Sequence, residues 1–151
     1  MSVVFDTRSV GSARPSRPVG HGILHRVSTV DIVDETFVVV APKVVATAFA
    51  DPAGWRRLWP DLRLEVYMDR GAEGLRWTVR GALVGTMEVW LEPMLDGTLL
   101  HYFLRADLPG PADPRAAARE RRDRQLATKR ITLGLKMALE HGRLPGCPPQ
   151  E

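Results

Sequence analysis

Glu65 and Tyr67 sit two apart in a run whose other positions are Leu64, Val66 and Met68. In a strand that spacing sends both polar groups to the same face. Turned inward, a buried Glu beside a Tyr has a raised pKa and becomes a general acid or base. Turned outward, the two are a solvated surface, which is the reading the pattern favours. Tyr102 is the other hydroxyl that alternation places among apolar neighbours, and with Glu65 and Tyr67 it completes the set of weak catalytic candidates. His21, His25, His101 and His141 share no metal-ligand spacing with one another or with Cys147, so neither a metal nor a cofactor is expected. No G-x-x-x-x-G-K-S/T, G-x-G-x-x-G or G-x-S-x-G occurs and no nucleophilic triad is visible, which leaves nucleotide hydrolysis, dinucleotide binding and the serine-hydrolase elbow without support.

The elements that must position these residues belong to one domain. A chain of 151 residues with 44% hydrophobic and 26% charged content has the composition of a globular protein with a real core. No stretch approaches the ~20 apolar residues of a membrane-spanning helix. Residues 1–27 are rich in Ser, Gly, Pro and Arg without periodicity and read as a flexible arm. They lack the apolar core of a secretory signal, so the cytoplasm is the default location. The domain is expected over 28–142, with a disordered Pro-rich tail over 143–151 that holds Cys147, the single cysteine.

High β-branched content over Ser28 to Ala41 predicts a first strand. Pro42 and then Asp51-Pro52 each start a short helix, the aspartate as N-cap and the proline at the first helical position. Pro60 ends the second helix near Trp59, and Trp55 and Trp59, four apart, share one face. Four strands follow, at Arg63 to Asp69, Leu75 to Arg80, Gly85 to Pro93 and Thr98 to Asp107. Asp113-Pro114 opens a last helix able to reach His141 before Gly142. Its apolar stripe is 128, 131, 135 and 138, so its second half should lie on the sheet while its first half projects or skims the edge.

With Asp96-Gly97 as a two-residue hairpin loop, Glu88 faces Arg105, Trp90 faces Phe103 and Glu92 faces His101 on one side. On the other side Met87, Val89 and Leu91 face Ala106, Leu104 and Tyr102. The second, unbroken apolar face is the inner one, and the same parity selects Leu75, Trp77 and Val79. A sheet covered by one C-terminal helix must curl around it, and the space so formed suits a small apolar ligand. Its expected lining is Trp59, Leu75, Trp77, Val79, Met87, Val89, Leu91, Tyr102, Leu104, Ile131 and Leu135, unless the same residues simply fill the core, a difference that periodicity does not register. The outer face presents Trp90, Phe103, Leu99 and Arg76 as an expected partner surface, most simply for a homodimer, with Arg76 placed to stack on Trp90.

Net charge is +3, but nine Lys or Arg against four acids between Asp113 and Arg143 make that segment +5. The pattern favours a solvated helix end with local Arg–acid pairs; a basic helix also gathers anions by field alone, which makes an acidic membrane surface the alternative partner. Nucleic acid is not expected, because no aromatic residues interleave with the charges.

The closing Trp55/Trp59-Pro60, RWTVRG at 76–81, EVWLEP at 88–93, DGT at 96–98 and the terminal helix together resemble the START-like helix-grip (SRPBCC) superfamily, and within it the actinobacterial proteins labelled polyketide cyclase/dehydrase. The resemblance spans about Thr29 to His141. It implies an α+β fold with a curved antiparallel sheet of about five to six strands, two short helices after strand 1 and a long C-terminal helix on the sheet. That superfamily contains lipid carriers, cyclases, hormone receptors and oxygenase domains, so a fold this widely used does not name an activity. Binding or carriage of a small hydrophobic or lipid-like molecule ranks first. The alternatives are a polyketide cyclase/dehydratase-type enzyme, and a ligand-free interaction module using the Trp90/Phe103 face or the basic helix. The strand count is lower than that fold usually has.

Overall fold

The computed structural model describes residues 28–141. The expected arm, the tail with Cys147, His21, His25 and the stop at Gly142 lie outside the described residues. Within them the chain runs β1 (Val30–Val38), α1 (Pro42–Thr47), α2 (Pro52–Leu58), β2 (Leu62–Asp69), β3 (Gly74–Gly81), β4 (Val84–Met94), β5 (Gly97–Asp107) and α3 (Pro114–Leu139). The five strands form one antiparallel sheet in the order β1-β5-β4-β3-β2. This is the helix-grip α+β architecture that the element order implies.

Proline and aspartate set the helix starts as expected. Asp51 accepts from the Ala53 N–H at 2.9 Å, and Asp113 accepts from Arg115 and Ala116 at 3.0 and 3.3 Å. Each side chain thereby satisfies N–H groups that have no partner within the first turn. The last helix ends at Leu139, two residues short of the expected limit, and His141 takes the left-handed conformation at φ +53°.

The β4–β5 register differs from the expected one by two residues. Met94 pairs with Gly97, and the loop is Leu95-Asp96, with Leu95 at φ +50°. Gly97 is drawn into the strand because it packs against β1, where a Cβ would overlap the carbonyl oxygen of Val38. A slip of two preserves faces and exchanges every pair. Trp90 therefore faces His101, Glu88 faces Phe103, Thr86 faces Arg105 and Val89 faces Tyr102.

The inner face is the core, with Ile32, Trp77, Met87, Leu91, Leu100 and Leu104 all essentially inaccessible to solvent. α3 covers it with Thr128 and Thr132 buried and Ile131, Leu135 and Leu139 packed against it. Ala138, expected in that stripe, is exposed. Polar ties fasten α3 and its C-cap to β1 and the residue that follows it, among them a hydrogen bond from Thr132 to Asp34 at 3.0 Å. Lys129 meets Asp34 at 2.6 Å, Lys136 donates to the Phe37 carbonyl at 2.8 Å, and Glu140 accepts from the Val39 N–H at 2.7 Å. Nor does the first half of α3 merely project. Ala117 is buried, and Arg124 forms a fork on Asp61 at 3.0 and 2.7 Å while also donating to Glu120.

Candidate functional site

Three polar groups from three elements converge inside the grip. Tyr102 comes from the inner face of β5, Trp59 from the cap of α2, where Pro60 stops the helix, and Thr128 from the buried side of α3. Each is 2% exposed. The Tyr102 and Trp59 rings lie nearly parallel, 6.2 Å apart at 11°. The Tyr102 hydroxyl donates to the Met87 sulfur at 3.2 Å, a soft acceptor that leaves the oxygen's lone pairs open. Trp59 Nε1 and Thr128 Oγ1 stand close enough to that hydroxyl to lower its pKa, but neither reaches good hydrogen-bond geometry with it or with any other described residue. A buried donor without a well-formed hydrogen bond costs about 1–3 kcal/mol.

Burial pushes the Tyr102 phenol up to about 12, with Thr128, the Arg124 charge and Trp59 tempering the rise. The hydroxyl is therefore neutral and a proton donor at ordinary pH. Among the described residues, no carboxylate or imidazole hydrogen-bonds to it as an acid/base partner. Glu65 is exposed and Tyr67 is half exposed, both on the outer face, with Tyr67 as the extra residue of a bulge where Val66 pairs with Trp77 and Met68 with Arg76. These two sit together but apart from Tyr102.

Around the cluster, Phe49, Val89, Leu100, Ile131, Thr132 and Leu135 close so tightly that the space between sheet and α3 admits no water-sized sphere. An open cleft of about 390 Å³ lies outside it, between α1, Trp55 of α2 and the β2/β3 side, lined by Lys43, Ala46, Thr47, Ala50, Val66, Asp69, Gly71 and Leu75. Trp55 stands between cleft and core. Its Nε1 donates to the Phe49 carbonyl at 2.7 Å, and its ring meets Trp77 edge-on at 5.5 Å. Trp77 in turn contacts Trp59 at 6.1 Å. A line of aromatic rings thus runs from the open cleft to Tyr102.

The expected lining residues of the sheet and Trp59 are all buried in one core, and Ile131 and Leu135 pack against it from α3. The cleft and the role of Thr128 escaped the sequence reading. Position 128 was visible as part of a helix stripe, but a threonine there gives no sign that its hydroxyl will face a tyrosine across a sheet.

The outer face needs a correction. Trp90 stacks on His101, 4.3 Å away at 15°, and His101 lies parallel to Phe103 at 6.3 Å, so the imidazole stands where a direct Trp90–Phe103 pair was expected. His101 is buried there, with Nδ1 3.1 Å from Glu35 and Nε2 2.9 Å from Glu92. Arg76 does not stack on Trp90 but pairs with Glu88 at 3.1 Å, while Arg70 holds the other carboxylate oxygen at 2.6 Å. Trp90, Phe103, Leu99 and Arg76 are each half-buried.

No protein-family model and no curated protein matches the chain. Solved structures do. The Aha1 dimer from Colwellia psychrerythraea is 16% identical with a TM-score of 0.52, over 76% of this chain and 99% of that one. TTHA0849 from Thermus thermophilus is 14% identical with a TM-score of 0.51, again over 76% and 99%. The di-domain ARO/CYC StfQ from the steffimycin biosynthetic pathway is 16% identical with a TM-score of 0.54, over 73% of this chain and 50% of that one. At such identities the likeness is one of fold.

Proposed function

We propose that the protein binds and carries a small, largely apolar molecule between the sheet and α3, with one oxygen of that molecule held at Tyr102, Trp59 and Thr128. The observation that supports this reading is a set of buried polar atoms without a well-formed hydrogen bond, Trp59 Nε1, Thr128 Oγ1 and Trp77 Nε1, around a neutral tyrosine in a core lined by aromatic rings. A ligand carbonyl or ether would accept from Trp59 and Thr128, while Leu75, Trp77, Val79, Met87, Val89, Leu91, Leu104, Ile131 and Leu135 supply its apolar surroundings. The open cleft beside Trp55 is the entry in this reading, and uptake requires Trp55 or α3 to give way because the inner space is closed. The cytoplasm is the proposed location.

Cyclase or dehydratase activity on a polyketide-like substrate is the second reading, along with membership of the actinobacterial subgroup. What favours it is the neutral Tyr102 hydroxyl, able to polarise a substrate carbonyl during ring closure. The outer-face homodimer is a separate proposal resting on Trp90, Phe103, Leu99 and Arg76.

Native mass spectrometry of the purified chain, followed by denaturing extraction, tests the first reading. A retained apolar, oxygen-bearing metabolite is the expected result. Thr128→Val should bind it about tenfold more weakly, about 1.4 kcal/mol, with unfolding stability unchanged or slightly raised as the unpartnered hydroxyl is removed. A ligand-free chain that also ignores Nile red, or equal affinity in Thr128→Val, would sink the reading.

A further inference from the structure

The side of α3 turned away from the sheet carries its own pattern. Arg119, Arg122, Leu126, Arg130, Leu133 and Met137 fall within an arc of about 80° on a helix of 3.6 residues per turn. That arc lies opposite Thr128, Ile131 and Leu135. Leu126, Leu133 and Met137 are 57%, 45% and 68% exposed, a high cost in water for three large apolar side chains on a single helix face. The stripe contains no carboxylate. Glu120 pairs with Arg124, and Glu140 faces Lys136 and the Val39 N–H, while Asp123 lies at the margin. Of the helix's other cations, Arg124, Lys129 and Lys136 hold the fold together, Arg115 falls within the same arc, and Arg121 lies outside it, exposed.

We infer that this stripe docks the protein on an anionic lipid surface, with α3 lying flat. Leu126, Leu133 and Met137 enter the headgroup boundary, and Arg119, Arg122 and Arg130 reach the lipid phosphates along their aliphatic stems. A second copy of this chain is a poor occupant, because in either orientation the facing stripe offers Arg119, Arg122 and Arg130 no acidic partner. A nucleic acid would leave the leucines and methionine in water and find no stacking ring. An acidic protein is disfavoured by a convex row with no aromatic anchor at its centre, where Arg130 separates Leu126 from Leu133 and Met137.

Co-sedimentation of the full chain with vesicles of equimolar phosphatidylcholine and phosphatidylserine, against phosphatidylcholine alone, tests this. Binding to the anionic vesicles only, weakened by salt, is expected. Arg122→Glu with Arg130→Glu should lower it about tenfold or more. Leu133→Ser with Met137→Ser should lower it at unchanged net charge, and the two alanine substitutions replace these should the serine pair lower Tm. Arg63→Glu with Arg80→Glu on the sheet, the same change in charge, should leave it intact. Three results each overturn the inference: no binding by the unaltered chain, equal loss from the sheet pair, which reduces the effect to bulk charge, or full binding without Leu133 and Met137, which assigns the stripe to any acidic surface, protein included.

Discussion

At the scale of single residues, the inner cluster was half legible. Alternation in β5 is enough to send Tyr102 inward, and Pro60 is enough to stop α2 at Trp59 with its indole against the core. The polar companionship was not legible, because nothing local in α3 marks Thr128 as different from its neighbours. Nor was His101, a polar residue on the outer parity, which is buried only because Trp90 covers it and Glu35 and Glu92 satisfy both nitrogens. Tyr102 also yields a pH test. Its folded pKa of about 12 exceeds the ordinary value near 10, so the folded state holds a proton that the unfolded chain releases between those pH values. The stability it contributes is fully present below pH ~10 and declines as pH rises toward ~12, by about 2–3 kcal/mol. Urea unfolding of the unaltered chain should show that decline, and the difference from Tyr102→Phe should isolate it; parallel curves would mean that burial does not hold the phenol protonated.

Among the elements, all five strands and three helices follow from the proline, aspartate and glycine punctuation and from β-branched runs, but the β4–β5 register does not. Asp-Gly is the ordinary hairpin signal. Here tertiary packing of Gly97 on Val38 outweighs it, a long-range contact that no window of sequence contains. Gly97→Ala should therefore cost more than a usual turn substitution, about 2–4 kcal/mol in urea denaturation, as does overpacking at a backbone contact. A loss of only a few tenths would show that the strands can separate there freely. The seating of α3 has a second, acid-sensitive element. The Arg124 guanidinium holds the Asp61 carboxyl below the usual carboxylate range, against an opposing effect of burial. Because the folded pKa is the lower one, the pair's contribution is present above pH ~4 and fades as pH falls through the depressed value. Asp61 is partly exposed, so screening limits the contribution to about 1 kcal/mol or less. Asp61→Asn should lower Tm at neutral pH and lose part of the acid dependence, with the gap between the two proteins narrowing as pH falls below ~4; an unchanged Tm at neutral pH would show that the fork does not hold the helix.

For the whole molecule, the order of elements carried the architecture, since one helix arriving after a complete antiparallel sheet has only the inner face on which to bury itself. How closely it settles there was beyond periodicity, which says which side chains face each other but not the distance between the layers. The settling has a temporal consequence. β1 and α3, the first and last elements, are tied to each other through Asp34, Phe37 and Val39, across nearly the whole length of the described chain. During synthesis all five strands are made by residue 107, but the 26 residues of α3 follow only afterwards. At about 5–20 residues per second, the stretch from 108 to 139 leaves the aromatic face uncovered for roughly two to six seconds on every ribosome. Self-association of nascent chains is therefore concentrated in that interval, and its length is set by the translation speed of the Arg-rich helix rather than by any property of the finished fold.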